Sequence, residues 1–138
     1  MNGGYYNPRF IDYQGSGNGG YLMSSTGSAN SPRTVNCGFI NDNGTGGGSE
    51  VPTILPSLIW SHLLFECDST GLSKMYLNGK IINKNQGVSI GPINYSGLSM
   101  NIGRNNHSAF DAWGGYLDDI RIYNRVLSEA EITYLATH

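Results

Sequence analysis

The side chains best suited to holding a ligand gather in one stretch, Arg104-Asn105-Asn106-His107-Ser108-Ala109-Phe110-Asp111-Ala112-Trp113. Sugars dock their C–H faces on aromatic rings while amides, carboxylates and guanidinium groups complete the hydrogen bonds, and this stretch contains all of those types. Arg104, Asn105, Asn106, His107 and Trp113 are the candidate ligand-binding residues. Trp113 serves equally as a platform for a ligand or as a lid on the core, and Phe110 belongs to the core. Asp118 lies on the strand phase of Ile120 and Ile122, near a strand entrance, where a carboxylate needs a partner. Asp119 and Arg121 stand two apart with Tyr123 beyond them, which predicts structural pairing along an exposed sheet face.

Catalytic strings are missing from this sequence. Hydrolysis of a glycoside needs two carboxylates roughly 5 to 9 Å apart across a cleft, and Asp118 and Asp119, being adjacent on a strand, point to opposite faces. His62, His107 and His138 are not spaced as metal ligands, and neither a Gly-X-Ser-X-Gly elbow nor a phosphate loop occurs. Glu129 and Glu131 invite an acid–base reading. Ser128-Glu129-Ala130-Glu131 is however a capping box, with Leu127 and Ile132 placed as its hydrophobic staple, so both glutamates are read as structural and one short helix ends the chain.

The elements that must position these residues are strands. Short runs rich in Ile, Leu, Tyr and Phe recur every ten or so residues between Gly, Asn, Ser and Pro clusters, the pattern of a sandwich or barrel. Expected strands are Arg9 to Tyr13, Tyr21 to Ser25, Thr34 to Ile40, Ile59 to Asp68, an alternating run with Leu98, Met100 and Ile102 on one apolar face, and Gly115 to Tyr123. Asp68 to Leu72 reads as a turn. Asn78-Gly79 between Lys74–Leu77 and Lys80–Ile82 predicts a hairpin, because a type I′ turn needs φ > 0 at both positions. Residues 41 to 50 are so rich in glycine that they read as a surface loop.

A chain of 138 residues is the size of one domain, residues 1–138, with no room for a second. Lys plus Arg number 8 against 10 for Asp plus Glu, a net charge of -2. That balance lacks the basic excess from which a phosphate-backbone binder releases counterions, so nucleic acid is disfavoured as a partner. Charged residues make up 13% of the chain and glycines number 20, so polarity is carried by uncharged side chains and turns, a profile that suits an extracellular or surface-exposed all-β domain. No apolar run approaches the roughly 18 residues of a membrane span, and the first residues have neither the basic nor the apolar region of a signal peptide. Cys37 and Cys67 match no zinc or redox spacing; they either join in an oxidising compartment or stay as buried free thiols, one to a strand. Asn-X-Ser/Thr triplets at Asn43, Asn94 and Asn106 arise readily by chance in so Asn-rich a chain.

Taken together, Trp60-Ser61-His62-Leu63-Leu64-Phe65, Met75-Tyr76-Leu77-Asn78-Gly79-Lys80, Met100-Asn101-Ile102-Gly103 and above all the string from Gly114 through Leu117-Asp118-Asp119-Ile120-Arg121-Ile122-Tyr123-Asn124-Arg125-Val126-Leu127-Ser128 to Ile132 resemble the laminin-G-like, concanavalin A-like jelly rolls. The resemblance runs from Trp60 to Leu135 and more loosely from Arg9 to Ile40. It implies a two-sheet antiparallel β-sandwich with one short C-terminal helix, in a family of mostly secreted or surface modules that bind glycans or proteins. Hydrolytic members carry acids in the form Glu-X-Asp-X-X-Glu, and no such string is present, so a non-catalytic carbohydrate- or protein-binding module is expected. The alternative is a structural or assembly domain of a larger surface or phage-like fibre protein. Many similar jelly rolls hold calcium on the strand corresponding to Asp118, which makes calcium the implied cofactor there; a carboxylate bonded to a neighbouring loop is the competing reading. Such domains usually open with a further strand or two before Phe10, so either the chain is N-terminally truncated or those strands are dispensed with and the opened edge is paired elsewhere; self-association as a symmetric homo-oligomer, with Tyr5 and Tyr6 at the contact, is expected.

Overall fold

The computed structural model describes residues 8–14, 20–26, 34–40, 46–51, 55–56, 58–86, 99–105 and 112–138. Three antiparallel hairpins come first, built from β1 (Arg9–Gln14), β2 (Gly20–Thr26), β3 (Thr34–Ile40) and β4 (Gly46–Val51). They are followed by β5 (Leu63–Cys67), β6 (Leu72–Leu77), β7 (Lys80–Gln86), the short β8 (Asn101–Ile102) and the helix α1 (Glu129–Leu135). One sheet has the order β4-β3-β2-β1-β8 and the other β5-β6-β7. The protein is an all-β, two-sheet antiparallel sandwich with a single short helix among the described residues.

Period-two patterning explains which face meets which. Along β3, Val35, Cys37 and Phe39 are buried while their neighbours are half-buried, as alternation on a pleated strand requires. Met75, fully buried on β6, joins Phe10, Val35 and Cys37 between the sheets, and Phe39 stacks across the gap on Phe65 at 6.3 Å. The opposite face of the small sheet is also apolar at one end. Leu64 and Tyr76, cross-strand partners, pack there with Leu127, Ile132 and Leu135, so α1 covers the outer side of β5 and β6. Its capping box is present as expected, Ser128 Oγ accepting from the Glu131 amide and the Glu131 carboxylate accepting from the Ser128 amide, and the staple residues Leu127 and Ile132 are both buried.

The hairpins at 9–26 and 72–86 and the strand at 34–40 form as the sequence predicts. Asn78 and Gly79 have φ of 51° and 76°, the signature of a type I′ turn, and Asn78 also closes the far end of β5 by accepting from the His62 amide at 2.8 Å. Asp68 organises the preceding turn, its Oδ1 accepting from the Thr70 and Leu72 amides.

Four expectations need correction. Gly46–Val51, the second half of the expected loop, is a strand paired with β3 from Ile40↔Gly46 to Val35↔Val51. Glycine suits it because the two backbones lie close: a Cβ at Gly48 would run into the Cys37 carbonyl oxygen. The expected strand Ile59–Asp68 shortens to Leu63–Cys67, since Leu58 takes a left-handed φ of 63° and Ile59 and Trp60 turn outward, exposed. Gly115–Tyr123 forms no strand: it has no ladder partner among the described residues, and Asp119 at φ 49° interrupts it. The run ending at Ile102 is ordered as a ladder only at Asn101–Ile102; Ile102, opposite Ile11, shares the face of Met23 and Cys37, but at the sheet edge it and Met100 stay exposed; Leu98 lies outside the described residues.

Candidate functional site

The chemistry-bearing residues of the described structure meet on the outer face of the five-stranded sheet, at its β1–β8 edge. In a regular strand Arg9 and Asp12, three apart, would face opposite ways. A register shift between Arg9 and Ile11 adds one residue to β1; such a bulge resets the phase and re-aims side chains. It turns Phe10 into the core and brings Arg9 Nε to 3.7 Å from Asp12 Oδ2. Register then extends the polar face in two directions. Asp12 lies opposite Asn101 on β8, whose Oδ1 accepts from Arg104 Nε at 3.4 Å. Arg9 lies opposite Ser24, itself opposite Asn36 on β3. Asp12 and Ser24 are each 1% exposed, whereas Arg104 is open to solvent. The row therefore grades from a buried carboxylate to an accessible guanidinium, with amides between, a donor–acceptor set matched to polyhydroxylated or amide-bearing ligands.

Of the sequence-predicted binding residues, Arg104 and Asn105 stand at this edge, exposed and half-buried respectively. Asn106 and His107 lie outside the described residues, as does Phe110. Trp113 is fixed to the same edge: its amide donates to the Gly103 carbonyl at 2.7 Å, and the Gly103 amide donates to the Phe10 carbonyl at 3.0 Å. Its ring meets Phe10 edge-to-face at 4.5 Å and packs on the core cluster, so Trp113 forms the wall beneath the polar edge. Sequence reasoning passed over Arg9, Asp12 and Asn101. The available signal was a charged residue set among aromatics in Phe10-Ile11-Asp12-Tyr13, but its meaning depends on the bulge.

Asp118 is exposed, and its Oδ1 accepts from the Asp119 amide at 2.8 Å. Calcium takes six to eight oxygen ligands. Among the described residues no group of three or more His, Cys, Asp or Glu is placed to hold a metal. Asp119 and Arg121 pair as expected, through Nη2–Oδ2 at 2.8 Å and Nε–Oδ1 at 2.9 Å, both side chains exposed. Tyr123 and then Asp119 raise the Arg121 pKa by hydrogen bonding.

The small sheet carries a second polar cluster. Glu66 Oε1 accepts from Lys74 Nζ at 3.0 Å and Tyr76 OH at 3.1 Å, while Oε2 is buried with no partner among the described residues. The hydrogen bond to Glu66 leads the rise in the Lys74 pKa, and burial leads the rise for Tyr76. Among the described residues the hydrogen-bond partners of Glu66 are a cation and a phenol. His62 is pushed toward its neutral form chiefly by burial and then by Arg121, and His138 stacks on Tyr134 at 4.2 Å. Cys37 and Cys67 are free thiols.

A two-sheet antiparallel sandwich of this kind is the architecture of a jelly roll. The family model described as the concanavalin A-like lectin/glucanases superfamily matches residues 2–133, and the chain belongs to that superfamily. No curated protein matches the chain. Among solved structures, a 2.1 Å crystal structure of residues 221–444 of an S-layer domain-containing protein from Clostridium thermocellum ATCC 27405 is similar, with 20% identity, a TM-score of 0.45, and coverage of 96% of this chain and 64% of that one. The present chain thus spans less than two thirds of that neighbour. No helix among the described residues is long and apolar enough to cross a membrane.

Proposed function

We propose that the chain is a non-catalytic binding module of a secreted or surface protein that takes a glycan at the β1–β8 edge. The observation that carries this reading is the polar row Arg104–Asn101–Asp12–Arg9, graded from solvent to interior and backed by Trp113. Arg104 and Asn105 meet the ligand first, Asn101 continues the amide surface, and buried Asp12 orients Arg9. Membership of a superfamily of lectins and glucanases, together with the low charge, supports this reading. The ligand partner is then a glycan, or a surface protein presenting similar hydrogen-bonding groups. A hydrogen bond from a charged group contributes about 1.5–3 kcal/mol when its partner is otherwise left unpaired, so Arg104→Ala is expected to weaken binding about tenfold or more.

The test is a broad glycan array probed with the wild-type chain and Arg104→Ala, in calcium and in chelator. Glycan signals that fall in the variant support the reading; a blank array beside measurable binding of a protein partner overturns its glycan form. Calcium at Asp118 is a further proposal read in the same experiment, supported by a calcium-dependent signal that Asp118→Asn abolishes. The second reading, an assembly domain of a larger surface or fibre protein, draws on the exposed apolar side chains between Tyr116 and Val126.

A further inference from the structure

The hairpin turn Asn78-Gly79 carries a reactive pair. An asparagine followed by glycine is prone to lose its side-chain amide, because a residue without Cβ leaves its backbone nitrogen unshielded for attack on the neighbouring carboxamide. Asn78 is exposed, so base and water reach it. The fold nonetheless holds the reacting atoms apart. The carboxamide is tied back toward β5, Oδ1 accepting from the His62 amide at 2.8 Å while the Asn78 amide donates to the His62 carbonyl at 2.8 Å. Asn78 and Gly79 both take left-handed φ, 51° and 76°, and a type I′ turn fixes a ψ at Asn78 far from the one a five-membered ring between Asn78 Cγ and Gly79 N needs. Gly79 is in turn pressed against α1: a Cβ there would stand 3.2 Å from Ala136 Cβ and 3.6 Å from Thr133 Cα. Leu127 and Ile132 seat that helix on Tyr76, two residues before the turn.

We propose that Asn78 is a latent deamidation site gated by α1: while the helix is seated the turn cannot distort and the asparagine persists, and when the helix lifts the turn is free to react. In the reaction the Gly79 nitrogen gives its proton to solvent base and bonds to Asn78 Cγ, and Nδ2 leaves as ammonia. Water then opens the cyclic imide. Breaking the bond from nitrogen to Cγ yields aspartate at position 78, and breaking the bond from nitrogen to the backbone carbonyl carbon yields isoaspartate there. The net change is one water gained and one ammonia lost, with no oxidant or reductant. Isoaspartate carries the backbone through Cβ and so lengthens it by one carbon. A two-residue turn has no slack for that atom, and neither does the contact of Gly79 with Thr133 and Ala136, so isoaspartate keeps α1 from seating again. Opening of this kind is local, since a helix of 7 residues on the outer side of one sheet lifts at less cost than the whole sandwich unfolds. The site is independent of the glycan reading, which concerns the other sheet.

Peptide mapping by mass spectrometry, which separates asparagine, aspartate and isoaspartate at position 78, decides it. The samples are the folded chain at pH 8, the same chain in denaturant, and Ile132→Ala, which removes the fully buried side chain that seats α1. Deamidation at position 78 is expected to run at least tenfold slower in the folded wild type than in denaturant, a protection equal to about 1.4 kcal/mol of opening. In Ile132→Ala it is expected to accelerate toward the rate in denaturant while Cys37, buried between the sheets, stays closed to a thiol reagent, so that the opening is local. Equal rates for the wild type in buffer and in denaturant overturn the proposal, and so does an unchanged rate in Ile132→Ala. Should Ile132→Ala unfold altogether, with Cys37 labelling as in denaturant, Ser128→Ala decides instead, since it removes only the cap of α1. A faster reaction at position 78 with Cys37 still closed supports the gate, and an unchanged rate overturns it.

Discussion

Glu131 shows how much one side chain at the end of a sandwich can organise. Its carboxylate takes Arg125 through both terminal nitrogens, at 3.0 and 2.6 Å, and the Ser128 amide and hydroxyl at 2.8 Å each. Arg125 first, then Ser128, draws its pKa down from 4.5 to about 2. A folded-state value below the unfolded one means that the stabilisation is fully present above about pH 4.5 and is lost as pH falls toward about 2. Urea-unfolding midpoints measured across that range are expected to fall steeply for the wild type. Glu131→Gln should start lower at neutral pH and show a shallower acid slope; parallel slopes would remove Glu131 from the acid response. The same residue thus caps α1 and ties Arg125 to it, the structural part that the capping box assigns to Glu131.

Among the elements, β4 is the instructive one. Gly46-Gly47-Gly48 carries no apolar pattern, and its strand exists because β3 offers a complete backbone edge and glycine allows close approach. Gly48→Ala places a Cβ against the Cys37 carbonyl oxygen, backbone against backbone, where no flexible side chain can give way. Overpacking of this kind costs about 1–3 kcal/mol. The expected result is a lower thermal midpoint, with amide exchange accelerating first in β4 and the outward half of β3 rather than in β5–β7, read by hydrogen exchange. Uniform acceleration over both sheets would mean that β4 unfolds only with the whole sandwich. The bulge in β1 is the other element-scale device, since one added residue turns Phe10 inward and Arg9 and Asp12 outward together.

At the scale of the whole molecule, each sheet contributes one thiol. Cys37 on β3 is 3% exposed and burial pushes its pKa far up, while burial, then Asp68, raises Cys67 from 9.0 to about 11. A shift of two units leaves about 100-fold less thiolate at pH 8, and thiolate is the reactive form. A thiol reagent at pH 8 is therefore expected to label both cysteines rapidly in denaturant and neither at a comparable rate in the folded protein. Labelling then reports opening of the sandwich. Rapid reaction of Cys67 in native buffer would show that the β5 end of the core is open to solvent.

Local chemistry was legible in the residues themselves: the Asn78-Gly79 turn, the capping box at Ser128, the alternation along Thr34–Ile40 and the Asp119–Arg121 pair each depend on neighbours within a few positions, so spacing and residue type determine them. The family string from Gly114 to Ile132 was legible for the same reason, and with it the two-sheet fold. Tertiary structure alone decided the rest. The strand at Gly46–Val51 depends on a partner's backbone rather than on its own side chains. The outward turn of Ile59 and Trp60, and the run around Ile120 that has no ladder partner among the described residues, depend on which ladders close. The polar face joining Arg104 to Arg9 depends on a single-residue bulge and on Asp12 finding Asn101, residues 89 positions apart in the chain. No local pattern encodes a register between segments so distant, because register is settled by which pairing buries the most apolar surface and leaves the fewest backbone groups unpaired.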